Sequence, residues 1–134
     1  DLDQLFVRSR SEAFGKEVKK RILLGTYLLS EEAREKYYKK AQKIRTLLIN
    51  DFNQVFSQYD LILTPTSPRL ARPVEGSKDT YKNYIEAVNL AGLCAISVPT
   101  SNDGIEPVGL QIIGDRFNEE KIIKAALAYE GMVE

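Results

Sequence analysis

Hydrophobic positions recur at three- and four-residue spacing through much of the chain, and that spacing predicts helices. In "FGKEVKKRILLGTYLL", Phe14, Val18 and Ile22 fall four apart. Gly25 sits inside the pattern at a cost of about 1 kcal/mol against alanine, which marks close packing or a helix end. Ser30 offers a cap, with Glu31 and Glu32 in the first turn, where the helix dipole favours acids. From Ala33 the stripe Tyr37, Ala41, Ile44, Leu48, Phe52, Val55 and Tyr59 predicts one continuous helix over residues 31–58. Tyr37, Ile44, Leu48 and Val55 are expected among its buried residues.

The period then changes. Leu61-Ile62-Leu63 is a short strand run, stopped by Pro65 and Pro68 because neither can donate to a central ladder. Residues 66–79 read as loop, and a short helix from about Thr80 to Leu90 presents Tyr84, Ile85 and Val88 on one side. Ala95–Val98 and Val108–Ile113 are apolar throughout, as strands covered on both faces tend to be. The join between them, "PTSNDGIEP", is turn chemistry. Asn118 caps a final helix carrying Ile122, Ile123, Ala126, Leu127 and Tyr129. Four or five helices with three short strands predict an α/β fold, helices flanking a few strands, with too little sheet for its helices. Part of the sheet is therefore expected from elsewhere, leaving strand edges unpaired in its absence.

Composition narrows the chemistry. The chain has 134 residues, 43% hydrophobic and 28% charged, the balance of one globular domain that buries roughly two thirds of its unfolded surface. Formal net charge is zero, so the overall field gives no reason to expect binding to a nucleic acid or a membrane. No apolar run reaches the length of a bilayer span. The single cysteine, Cys94, excludes an intrachain disulfide. The absence of histidine excludes Ser-His-Asp and Cys-His catalysis and His-based zinc sites. Because the chain starts at Asp1 and its one methionine is Met132, it is expected to be a piece of a longer polypeptide.

Few residues then remain as candidates. Lys19, Lys20 and Arg21 form either a solvated basic helix face or, at Arg21 beside Ile22, a half-enclosed guanidinium able to grip a carboxylate with two prongs. Tyr37, Tyr38, Lys39, Lys40, Lys43 and Arg45 interleave aromatics with cations, but neighbouring acids offset them and an ordinary helix face suffices. Gly104, Gly109 and Gly114 are five apart and form neither G-x-G-x-x-G nor a P-loop, so they mark tight turns and close backbone approach. Cys94 reads as a buried inert thiol, and Ser97 has no neighbouring base.

The stretch "NLAGLCAISVPT" with "PVGLQIIG" resembles the C-terminal signature of the amidase signature family. "SEAFGKEVKKRILLGTYLLS", "YYKKAQKIRTLLINDFNQVF" and "YDLILTPTSP" are similar to the glutamyl-tRNA(Gln) amidotransferase branch of it, in order along the whole chain. The resemblance implies the C-terminal segment of a single mixed-sheet α/β/α amidase domain. It implies a Ser–cis-Ser–Lys triad and a Gly/Ser-rich loop in the preceding part of the polypeptide, so that no catalytic residue lies in this chain and the segment alone is inactive. Arg21 matches the family's "K-[KR]-R-I" position that holds the carboxylate of glutamine. The family's amino-group aspartate aligns with Lys82, so Asp79, Asn83 or Glu86 is expected to replace it, or the role is lost. Cys94 stands in place of a proline, and these departures suggest a diverged copy.

The implied activity is ATP-dependent conversion of Glu-tRNA(Gln) to Gln-tRNA(Gln), in the bacterial cytoplasm or the mitochondrial matrix. The implied partners are a kinase (B) subunit that carries ATP and Mg and receives the ammonia, and a small third subunit, with no cofactor in this chain. Another amidase-signature hydrolase and a non-catalytic assembly remnant are the alternatives.

Overall fold

The computed structural model describes residues 1–70, 84–100, 106 and 108–133. They fall into two compact units, Asp1–Ile44 and Arg45–Glu134.

The first unit is helical. Helix α1 (Leu2–Ala13) is capped by the Asp1 carboxylate, which accepts from the Asp3 N–H at 3.3 Å. After Gly15 the chain enters α2 (Lys16–Leu28), the helix expected from the Phe14-Val18-Ile22 spacing. Ser30 is the N-cap of α3 (Glu31–Ala33), but its hydroxyl donates back to the Tyr27 carbonyl instead of capping the new helix. A π-helical stretch, Arg34–Tyr38, continues directly into α4 (Lys39–Phe56), which runs on into the second unit. Helical backbone thus spans most of 31–58 as predicted, with one unpredicted widening of the turn.

Burial along this helix departs from expectation. Tyr37, Ile44 and Val55 are exposed, and Leu48 is half-buried together with Ile49, Phe52 and Phe56. The apolar stripe is present, but the described residues offer most of it nothing to pack on. Ala33 alone is buried among the described residues of the first unit, and α2 has no buried residue.

The second unit holds a three-stranded sheet in the order β1-β3-β2, from β1 (Ile62–Pro65), β2 (Cys94–Pro99) and β3 (Gly109–Gly114), both pairings antiparallel. Ile62 pairs with Ile113, and Cys94 with Gly114. Pro65 is the last residue of β1 and does not stop it early. That strand lies at the sheet edge, where a missing N–H costs no ladder bond. Covering on both faces holds for β3, whose last four residues are all buried. β2 instead alternates in exposure, as the other edge strand.

Helix α6 (Glu119–Val133) lays Ile122 and Ala126 against Val98 and Ile112, and these four form the core. Its Ile123 and Leu127 point away and are exposed. Helix α5 (Ile85–Ala91) buries Val88 and Ala91, while Tyr84 and Ile85 are exposed. It ends at Gly92 in the left-handed conformation, φ 72° and ψ 35°, where a side chain would be strained. Arg45 Nε donates to the Leu90 carbonyl at 2.8 Å, and Arg116 donates through Nε and Nη2 to that of Ala91 at 3.3 and 3.2 Å. Two cations therefore sit on the carbonyl end of α5, where its dipole favours them.

Candidate functional site

The two faces of the sheet differ in chemistry. Alternation along the strands puts Cys94, Ile96, Val98, Leu110 and Ile112 toward α6. The opposite face carries a polar row, because the register aligns Thr64 of β1, Gln111 of β3 and Ser97 of β2. One residue past β1, Thr66 extends the pairing by donating its N–H to the Gly109 carbonyl at 2.8 Å.

The Thr66 and Ser97 hydroxyls then meet across β3, with their oxygens 2.6 Å apart. Gly109 lies beneath them. A Cβ there would stand 2.7 Å from each oxygen, so only glycine leaves room for the bridge. Between this row and α5 lies a cavity of about 300 Å³, bordered by Ile85, Val88, Asn89, Ser97, Thr66 and Gln111 among others. No charged side chain is among its described lining residues. Gln111 is only 3% exposed, and its Nε2 has no hydrogen-bond partner among the described residues. Thr64 Oγ1, its neighbour in register, is also buried and has no partner among the described residues.

The candidates from sequence are placed as follows. Arg21 lies on α2 and is exposed, not half-enclosed, because the stripe beside it is itself uncovered: Ile22 is exposed too. Among the described residues no hydrogen bond or ion pair engages its guanidinium. Asp79 and Asn83 lie outside the described residues, and Glu86 is exposed in the first turn of α5. Cys94 is half-buried, and its Sγ donates to the Asp115 carbonyl at 2.9 Å. Ser97 has a hydroxyl and no base beside it. Gln111 was not singled out from sequence, although a lone amide within "VGLQIIG" is the usual mark of a buried polar group that needs a partner.

Asp60 is the one described group whose ionisation is displaced. The hydrogen bond from Lys121 Nζ at 2.7 Å, with the attraction of its charge, holds this carboxyl below the ordinary 3.8. Among the described residues no cluster of three or more His, Cys, Asp or Glu side chains could hold a metal ion. No helix among them is long and apolar enough to cross a membrane.

A family model described as Amidase matches residues 1–123. The A subunit of the Brevibacillus brevis glutamyl-tRNA(Gln) amidotransferase is 51% identical over 97% of this chain and 28% of its own length. That of Pediococcus pentosaceus is 48% identical over 100% of this chain and 29% of its own length. Among solved structures, the A subunit of the Thermotoga maritima glutamyl-tRNA(Gln) amidotransferase covers 86% of this chain and 27% of its own at 43% identity, with a TM-score of 0.60. A crystal structure of an amidase aligns over 96% of the chain with a TM-score of 0.69 at 23% identity, a likeness of fold alone. The chain thus spans less than a third of the length of the relatives it matches.

Proposed function

Because this chain belongs to the Amidase family, we propose that it forms the glutamine-holding side of an amidotransferase subunit, completed by the preceding part of the same polypeptide. The observation that carries this reading is the 51% identity with the A subunit of a glutamyl-tRNA(Gln) amidotransferase over nearly the whole chain. In this reading the longer subunit releases ammonia from glutamine through an acyl-enzyme formed on a serine outside these residues. The ammonia passes to the B subunit, which holds ATP and Mg and amidates Glu-tRNA(Gln), while a small third subunit holds the assembly together. The bacterial relatives favour a bacterial cytoplasm over a mitochondrial matrix.

Arg21 is the residue of this chain assigned to the amide donor. Its planar guanidinium can present two parallel N–H groups to a carboxylate, and no neighbour among the described residues competes for them. The amino group of glutamine falls to Asp79, Asn83 or Glu86.

Replacement tests the assignment. In the full subunit Arg21→Lys keeps the charge but loses the fork. Loss of a charge-assisted contact of roughly 1.5–3 kcal/mol raises the apparent KM for glutamine about ten- to a hundredfold. Transamidation with ammonia as donor stays at the unsubstituted rate. Equal falls in both activities, or no change in either, would remove Arg21 from the glutamine site. Equal hydrolysis of glutamine and simple amides by the full subunit would favour a general amidase, and no turnover of either would favour an assembly role.

A further inference from the structure

The long helix carries a charge pattern that the glutamine site leaves unused. Of the eleven residues Arg34–Ile44, five are cations and one, Glu35, is an acid. The stretch holds a net charge of +4 in a chain whose total is zero, so the remaining 123 residues together carry −4. Glu35 is spent on Lys39, whose Nζ lies 2.6 Å from its carboxylate. Lys36, Lys40 and Lys43 are exposed and have no ion pair among the described residues. Contact with a neighbouring acid thus offsets one lysine only.

Spacings of four and three put Lys36, Lys40 and Lys43 on one helix face. That face runs beside the apolar stripe of Tyr37, Ala41, Ile44 and Leu48, not within it. Whatever covers the stripe leaves the lysines at the surface, because burying an unpaired ammonium is costly. Seven residues at about 1.5 Å each spread the three charges over roughly 10 Å. A duplex strand presents a phosphate about every 3.4 Å of its axis, so the face spans about three phosphate steps.

The residue types select the partner. Protein interfaces are enriched in arginine and depleted in lysine, whereas a lysine point charge tracks phosphates without a fixed geometry. The aromatic rings nearby are already engaged. Tyr37 belongs to the stripe and lies 5.3 Å from Lys36 Nζ, and the Tyr38 hydroxyl accepts from Gln42 Nε2 at 3.0 Å. With no free ring for bases to stack on, the face suits a double-helical backbone better than unpaired nucleotides.

We propose that Lys36, Lys40 and Lys43 dock the phosphate backbone of an RNA stem, that of the tRNA on which the assembled amidotransferase acts. The inference rests on the proposed reading of this chain as part of such an assembly. Contact is with phosphates alone, so the face positions the RNA without reading its sequence.

Binding of fluorescently labelled tRNA(Gln) to the full assembly, read by anisotropy from about 50 to 200 mM salt without glutamine or ATP, provides the test. Replacing the three lysines by glutamine keeps helix propensity and should lower the slope of log affinity against log salt by about 2.7, at about 0.9 per phosphate contact. The affinity lost across that salt range then shrinks about fortyfold. An unrelated tRNA should show the same change, and the double variant Glu35→Gln, Lys39→Gln, which removes a neutralised pair, should show none. An unchanged slope in the triple variant would overturn the inference. With the assembly intact, that result makes the lysines a solvated face; with the B subunit lost on gel filtration, it makes them a protein interface. A change confined to tRNA(Gln), or an equal change in the double variant, would also overturn it. Failure of the unsubstituted assembly to bind any tRNA would remove the reading of the chain as well, whereas an unchanged slope leaves that reading and the Arg21 assignment standing.

Discussion

Gly114 closes the central strand where α6 crosses it, and replacement by alanine has a cost that can be worked out. A Cβ built there lies 2.7 Å from Ile122 Cγ2 and 3.2 Å from Cys94 Sγ. Gly114 does not require a glycine backbone, since Gly92 is the described glycine with positive φ. The penalty is therefore steric. Ile122 is 4% exposed and sits in a helix, where a β-branched side chain has one strongly preferred rotamer, so its methyl cannot swing aside cheaply. Overpacking of this kind costs about 1–3 kcal/mol. Alanine recovers roughly 0.5–1 kcal/mol of the entropy that glycine loses in a strand, leaving a net loss of about 0.5–2 kcal/mol. Calorimetric melting of the full subunit reads it as a fall of a few degrees, at about 2–4 °C per kcal/mol in domains of 150–250 residues and less in larger ones. The second site makes the reasoning specific. Ile122→Leu removes the offending branch at a cost below about 1.5 kcal/mol and should restore most of the loss. Ile122→Val keeps that branch and should restore none. An unchanged melt for Gly114→Ala, or equal rescue by both partners, would refute the argument.

Further outcomes follow from other contacts. Gly92→Ala should lower stability by about 1–2 kcal/mol from the left-handed backbone alone, since its Cβ position is open; an unchanged melt would show that the turn relaxes. Asp60 has a lowered pKa in the fold, so the Lys121 contact stabilises above pH 3.8 and is lost as pH falls through the lower value. In Lys121→Gln, NMR titration should find Asp60 moved up toward 3.8, and a carboxyl that does not move would rule out the contact. The chain expressed alone should be poorly soluble or partly molten, because Leu23, Leu47, Leu63 and Leu127 are all exposed and both sheet edges lack a partner among the described residues. A sharp cooperative melt from a dilute monomer would contradict this.

Periodicity located α2, the long helix, β2, β3 and α6 because each has a continuous pattern of its own. It misjudged which residues of the long helix are buried, since burial depends on what stands opposite. Tyr37, Ile44 and Val55 face a surface that the described residues do not supply. The π turn at Arg34–Tyr38 was hidden because no residue type signals one wide turn within a helical pattern. Pro65 looked like a strand stop, and only the strand order shows that it lies on an edge. At the candidate site, Arg21 was visible as an arginine beside an apolar stripe and through the family resemblance. Its exposure was not visible, because it follows from the same uncovered stripe. The Thr64–Gln111–Ser97 row needed the register, which joins positions far apart in the sequence.

The β1-β3-β2 order also sets a timetable for synthesis. The strand in the middle is the last of the three in the chain, and Gly109 follows Pro65 by 44 residues. At about 5–20 residues per second, β1 waits roughly 2–9 s for the neighbour it pairs with. Throughout that interval β1 has no ladder to join, and β2, complete at Pro99, shares that state for the last ten residues before Gly109. That interval leaves β1 open to a chaperone, and a translational pause before Gly109 would prolong it.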